Sequence, residues 1–242
     1  MTLLAIRAVS ISFGGLQALR DISFEVANGE ILGIMGANGA GKTTLFSLIA
    51  GHLRPDSGQI LFRGRRIDGL RPDQLSRAGI ARTFQIVKPF SSMSVLDNVL
   101  VAVFFGARRE RNHALAKARA IEILTEVGLE GRMEDLASSL TLSGQKRLEI
   151  ARALATDPAV VMFDEVMAGL TPTEVNDLLE SIRGIRRRRV LTILFVEHVM
   201  QALMRLSERV IVLHHGALIA EGTPKSIADD PRVIEAYLGP AT

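Results

Sequence analysis

The sequence predicts an α/β fold on parallel strands buried on both faces, interrupted by one mainly helical insertion. Three observations carry this. Ile31 to Met35, Val160 to Phe163 and Leu191 to Val196 are continuous apolar runs, the pattern of strands covered on both sides in a parallel sheet. Helical periodicity separates them. From about Ile86 to Asp157 no convincing strand pattern occurs, so this stretch reads as a helical subdomain set between core strands.

Taken in order, Ile22, Phe24 and Val26 alternate as a half-buried strand does. The run Ile31 to Met35 leads into a glycine-rich loop at 36–44, and the apolar spacing from Leu45 to Ile49 continues as a helix that Gly51 stops. Gln59 to Phe62 reads as a short strand between Gly58 and Gly64. Helical patterns follow at Ser94 to Ala107, His113 to Val127, Gln145 to Ala155 and Pro172 to Arg187. Near the end, Val210 to Leu213 and Ala217 to Ala220, joined by His214-His215-Gly216, read as a hairpin.

Composition excludes several classes. With 242 residues and 48% hydrophobic content the chain can bury one large core or a core plus a small subdomain. No apolar run approaches the ~18 residues that span a bilayer, and the start lacks the pattern of a secretory signal, so the cytoplasm is expected. Cysteine is absent and the five histidines lack zinc-like spacing. The pI near 9.7 suggests nucleic acid, but 29 basic against 26 acidic residues leave only +3, spread along the chain. The dense run Arg186 to Arg189 reads as a solvated helix end.

The loop Gly36-Ala37-Asn38-Gly39-Ala40-Gly41-Lys42-Thr43-Thr44 points to phosphate. Triphosphate oxygens need several backbone N–H donors converging on one point, which glycines permit where a Cβ would collide. Lys42 adds a point charge, a helix starting near it aims its positive end at the phosphates, and the Thr43 hydroxyl can ligate Mg²⁺. The second constellation is Val160 to Phe163 followed by Asp164-Glu165. Such a strand places both acids at the carboxyl end of a parallel sheet, where α/β proteins bind ligands. Asp164 can hold the Mg²⁺ shell, and Glu165 can polarise a water attacking the γ-phosphate.

These motifs resemble those of ABC-transporter ATPase subunits. The loop at 36–44, Gln85 after Arg82-Thr83-Phe84, the segment Leu148 to Leu154, Asp164-Glu165 and Glu197-His198 stand in that family's order and cover essentially the whole chain. The chain looks most similar to ATP-binding subunits of branched-chain amino acid importers, through Phe13-Gly14-Gly15-Leu16, Gly79 to Gln85 and the ending Asp230 to Gly239. The resemblance implies a P-loop NTPase (RecA-like) core with an N-terminal antiparallel β subdomain and an inserted helical subdomain at about 86–157, forming a single ATPase domain over 1–242. It implies ATP and Mg²⁺ as cofactors, with Thr43, Gln85 and Asp164 around the metal, partly through water. Gln85 resembles the glutamine that contacts Mg²⁺ and the attacking water, and His198 the switch histidine at the γ-phosphate. Phe13 takes the place of the aromatic that stacks on adenine; a core phenylalanine is the competing reading.

The departures concern the family's Leu-Ser-Gly-Gly-Gln signature, where this chain reads Ser139 to Arg147. A visual match aligns Leu142-Ser143-Gly144-Gln145 with one glycine missing. Counting back without a gap from Leu148 instead puts Leu140 first, Thr141 in the serine position, and Leu142 and Ser143 in place of glycines, with Gly144 closing the segment. The gapless register is preferred, because deleting one residue beside a helix rotates its faces by ~100°. Val166 replaces the usual proline and is expected to loosen a turn; Thr171 replaces the usual aspartate or asparagine and is expected to weaken a dimer contact.

In such a family two subunits sandwich two ATP molecules, each between one chain's phosphate loop and the other's signature. The partners implied are therefore a second ATPase subunit, expected from the degenerate signature to be a different paralogue with a homodimer left open, transmembrane permease subunits and, indirectly, a periplasmic solute-binding protein, at the cytoplasmic face of the membrane and without nucleic acid. Alternatives are a urea or amide importer, a lipopolysaccharide exporter, a soluble ABC ATPase acting on nucleic acid, and a small-molecule kinase sharing only the phosphate loop.

Overall fold

The computed structural model describes residues 1–83 and 88–238, apart from the side chain of Leu238. Along the chain come β1 (Thr2–Phe13), β2 (Leu16–Ala27), β3 (Ile31–Met35), α1 (Lys42–Ile49), β4 (Ser57–Phe62), β5 (Arg65–Arg66), α2 (Pro72–Ala78) and β6 (Ile80–Arg82). There follow α3 (Val95–Phe105), α4 (His113–Glu126), α5 (Leu142–Ala155), β7 (Val160–Asp164) and α6 (Pro172–Arg188). The last elements are β8 (Thr192–Val196), α7 (Met200–Leu206), β9 (Arg209–His214), β10 (Ala217–Gly222), α8 (Pro224–Ala228) and α9 (Pro231–Leu238). Two compact units result, Met1–Leu75 with Thr192–Thr242, and Ser76–Leu191.

In the first unit β2, β1, β4 and β5 form an antiparallel sheet in that order. Strand β3 lies between β9 and β8 and parallel to both, and β10 adds antiparallel to β9. Every residue of β3 and β8 is buried, as the continuous apolar runs predict. Arg209 at the start of β9 ties these layers together. Its Nε donates to Glu30 Oε1 at 2.7 Å, a terminal nitrogen donates to the Glu25 carbonyl at 2.5 Å, and it pairs with Glu221.

In the second unit β6 runs parallel to β7, and α3, α4 and α5 pack on one another. Ser94 caps α3 by accepting from the Asp97 N–H at 3.0 Å. On α6, Val175, Leu178, Leu179, Ile182 and Ile185 are buried at three- and four-residue spacing, so one stripe faces the core. The arginine run closing α6 is solvated in part, as the sequence suggests, with Arg187 and Arg188 exposed, but its end is also engaged in ion pairs. Arg188 and Arg189 reach Glu126 of α4 at 3.4 and 2.9 Å, while Arg108 and Arg119 converge on Asp157. All six border a cavity of about 340 Å³.

The β4–β5 edge of the first unit is pinned by Asp68. Burial pushes its carboxyl up, but hydrogen bonds from Arg66 and from the Ile60 N–H at 2.9 Å outweigh this and hold it below the usual carboxylate range. A lowered folded value stabilises above the unfolded value, about 3.9, and is lost as pH falls through the folded one. Asp68→Asn should therefore lose about 1 kcal/mol at neutral pH. In urea denaturation the gap from the wild type should close as pH drops below about 4.

Candidate functional site

The glycine-rich loop of the first unit follows β3 directly, and its shape is set by close backbone approach. A Cβ on Gly36 would lie 2.5 Å from the Leu213 carbonyl oxygen, and one on Gly41, at φ +105°, would lie 2.8 Å from the Ala18 carbonyl. Gly39 also has a left-handed φ of +79°, but it faces open space. The Gly216 N–H donates to the Ala40 carbonyl at 3.2 Å, so the turn between β9 and β10 buttresses the loop from behind. Lys42 is buried, and its Nζ donates to the carbonyls of Gly36 at 2.7 Å and Ala37 at 3.0 Å. Helix α1 begins at Lys42 with Gly41 as its N-cap and no side-chain cap, so its first N–H groups face the loop. Ala37, Asn38 and Thr43 are exposed and Thr44 is partly so.

His198 also belongs to this unit. Ile34 of β3 lies opposite Val196 of the parallel β8, so Gly36 and His198 leave neighbouring strands at the same end. His198 is exposed there, while the preceding Glu197 is buried. Phe13 ends β1 at the Gly14-Gly15 turn and is 46% exposed, which excludes the core reading. Tyr237 of α9 was not singled out by sequence. Burial pushes its phenol up, while a hydrogen bond from the Gly36 backbone N–H acts in the opposite sense. The signal lay in the ending Asp230 to Gly239, legible as a family string but not as a contact 201 residues away.

In the second unit Asp164 ends β7, buried, and Arg82 ends β6. The Arg82 guanidinium donates to Asp164 Oδ2 at 2.6 Å, with both side chains at least nine-tenths buried. Thr83 binds the same strand end, its N–H donating to the Met162 carbonyl at 2.9 Å and its Oγ1 accepting from the Asp164 N–H at 3.2 Å. Gln85, two residues on, lies outside the described residues. Glu165 is buried at a left-handed φ of +52°. The turn after it is closed, the Ala168 N–H donating to the Glu165 carbonyl and the Leu170 N–H to the Met167 carbonyl, both at 3.2 Å. Val166 packs fully buried, so this turn keeps its hydrogen bonds without proline. Thr171 caps α6 in a capping box with Glu174, whose carboxyl the Thr171 N–H and hydroxyl hold low.

Leu140 is buried and Thr141 is the N-cap of α5, its Oγ1 accepting from the Gly144 N–H at 3.3 Å. Helix α5 thus starts three residues before the Gln145 predicted from periodicity. Leu142, its first residue, is 46% exposed, and its Cδ2 lies 2.9 Å from where a Cβ on Gly169 would stand. Ser143 is half-buried and Gly144 buried.

A family model described as ABC transporter matches residues 19–168, and one described as branched-chain amino acid ATP-binding cassette transporter matches residues 217–239. The chain belongs to the ABC transporter family. It is 41% identical to the high-affinity branched-chain amino acid transport ATP-binding protein LivG of Salmonella typhimurium, over 99% of this chain and 98% of that protein. It is 34% identical to the lipopolysaccharide export system ATP-binding protein LptB of Acidithiobacillus ferridurans, over 98% and 97% of the two chains. A solved ATP-binding cassette of an ABC transporter in its ADP conformation superimposes with a TM-score of 0.88 at 30% identity, covering 99% of this chain and 100% of that one. The fold is therefore that of the P-loop ATPases predicted from sequence, and as an ABC ATPase the chain binds and hydrolyses ATP in a multi-component transporter.

The phosphate loop of this ABC ATPase should tolerate a methyl group at Gly39 better than at Gly41, although both glycines have left-handed φ. Gly41→Ala must displace the Ala18 carbonyl and should lower stability by about 1–3 kcal/mol beyond Gly39→Ala. Thermal melting of the two variants checks this.

Proposed function

We propose that this chain is an ATP-binding subunit of an importer for branched-chain amino acids, docked peripherally on permease subunits at the cytoplasmic face of the membrane. The observation that carries the reading is whole-length similarity to a branched-chain amino acid transport protein, together with the C-terminal family match at 217–239. Among the described residues no helix is long and apolar enough to cross a membrane, which agrees with peripheral docking on separate permeases.

In this reading the loop N–H groups and Lys42 hold the β- and γ-phosphates, which would draw the Lys42 ammonium from its own loop carbonyls onto the nucleotide. Mg²⁺ would be held by Thr43, Gln85 and Asp164, partly through water, and would neutralise charge on the phosphates. The donors are hard oxygens. Among the described residues no group of three His, Cys, Asp or Glu side chains gathers as a metal cage, which suits an ion that normally relies on one or two carboxylates and substrate phosphates. Glu165 orients and deprotonates the attacking water, His198 contacts the γ-phosphate, and the exposed ring of Phe13 stacks on adenine.

The segment Leu140 to Gly144 is the weak half of the composite arrangement. The cap at Thr141 supports the gapless register, since it puts the hydroxyl at the helix start where the family's serine stands. The exposed Leu142 then occupies a position where close approach to phosphate favours glycine. ATP held by this chain is completed by a different partner's signature, and the partner's ATP meets Leu142 and Ser143. Lipopolysaccharide export is the second reading, favoured by the 34% identity to that system's ATPase.

Three measurements test this. The complex purified on a tag carried by this chain and placed in liposomes should take up leucine, isoleucine or valine with ATP; intact hydrolysis without uptake of any of them would overturn the substrate class. Glu165→Gln should lower single-turnover hydrolysis by roughly 10²–10⁴-fold, while Lys42→Ala should abolish nucleotide binding. The change matching Glu165→Gln in the partner should cost much less than Glu165→Gln itself, and equal losses would sink the asymmetry.

A further inference from the structure

Helix α5 carries a lysine in a place where lysines are rarely found. Lys146 is only 2% exposed, and burying an ammonium is costly unless strong acceptors surround it. Its Nζ donates to the backbone carbonyl of Glu165 at 3.2 Å. Glu165 is 8% exposed and held at φ +52°, a conformation that costs a residue with a Cβ roughly 1–2 kcal/mol. A residue stays there only when its surroundings over-determine it. Here the same carbonyl also accepts from the Ala168 N–H at 3.2 Å, so one oxygen is gripped by a charged and a neutral donor. The direction of the Glu165 carboxylate depends on this peptide orientation, because the side chain leaves the backbone at the strained residue itself.

We propose that Lys146 is a positioning residue for hydrolysis, clamping the Glu165 carbonyl so that its carboxylate faces the attacking water. This rests on the reading of Glu165 as general base and adds the group that holds it in place. The clamp comes from the helix that Thr141 caps. Lys146 stands four residues after Leu142, about 6 Å along the axis at the α-helical rise, so the grip on Glu165 and the exposed signature end belong to one rigid element.

A structural lysine and a positioning lysine differ in what they change. The complex co-purified on a tag on this chain is compared as wild type, Lys146→Met, Lys146→Arg, Glu165→Gln and the double variant Lys146→Met/Glu165→Gln. Fluorescent ATP binding, thermal melting and single-turnover hydrolysis are measured for each. Lys146→Met should lose about 10–100-fold in the hydrolysis rate, the range expected of a reacting group displaced by about 1 Å, while the ATP dissociation constant stays within about twofold. Lys146→Arg, which keeps the cation and its donors, should recover most of the rate. In the Glu165→Gln background Lys146→Met should cost nothing more, since the group it orients is gone. A full-rate Lys146→Met, or a loss that multiplies with that of Glu165→Gln, overturns the proposal. A Lys146→Met chain that does not fold leaves the decision to Lys146→Arg: a rate within about threefold of wild type with unchanged ATP affinity supports the clamp, and a rate as low as that of Glu165→Gln overturns it. A Glu165→Gln chain that hydrolyses at the wild-type rate removes the role of Glu165 itself, and a slow Glu165→Gln beside an unimpaired Lys146→Met removes only the role of Lys146.

Discussion

Backbone pressed against backbone, with no room for a Cβ, is the constraint on which the nucleotide loop depends. Gly36 lies under the Leu213 carbonyl and Gly41 under the Ala18 carbonyl, while a Cβ on Gly216 would come 2.7 Å from that same Ala18 oxygen. Three segments distant in sequence, the end of β9, the start of β2 and the loop itself, therefore share one small volume. Their polar groups are also matched there, Gly216 accepting from the Arg20 N–H at 2.7 Å and donating to Ala40. A loop gripped from behind in this way need not reorganise to present its N–H groups, which is the condition under which fixed dipoles stabilise phosphate well.

The second unit relies on buried charge instead. Arg82 and Asp164 form a pair nine-tenths or more out of water, and such a pair is weak evidence of net stability, because desolvation offsets much of the attraction. Its value lies in orientation. Breaking such a pair by removing one partner typically costs about 3–5 kcal/mol, so Asp164 at the end of β7 and Arg82 at the end of β6 hold one arrangement. Thr83 repeats the lock with a neutral side chain on the same strand end.

Much of this was legible in the sequence where one local signal sufficed. The apolar runs at β3, β7 and β8 needed only counting, and the loop lysine and the Asp164-Glu165 pair announced themselves by spacing. Strand β1 was missed because its pattern is broken. Its pairing with β2 shifts register repeatedly, and Ala8 sits at φ +50°, so buried and exposed residues do not alternate. Helix α2, strand β6 and helix α7 are too short for a period to register. Helix α5 was begun three residues late because Leu142, Ser143 and Gly144 carry no helical stripe, and its start is set by the Thr141 cap. Arg82, Lys146 and Tyr237 escaped for a different reason: a charged or phenolic side chain reads as solvated until its partner, 19 to 201 residues away, is brought beside it.

The same helix start makes the proposed asymmetry physical rather than only a mismatch of letters. Thr141 Oγ1 accepts from the Gly144 N–H, so one first-turn donor that an anion could use is engaged by the cap. Leu142 adds an exposed apolar side chain at the next position, against Gly169. An incoming phosphate must then desolvate beside that side chain with fewer donors in return, and a charged group left without partners is far more costly than a neutral one. Helix α5 runs unbroken from Leu142 to Ala155 and also holds the Glu165 carbonyl through Lys146. In the proposed arrangement a poor contact at its N-terminus would weaken the partner's ATP site, while the proposed clamp would hold this chain's own Glu165 in place.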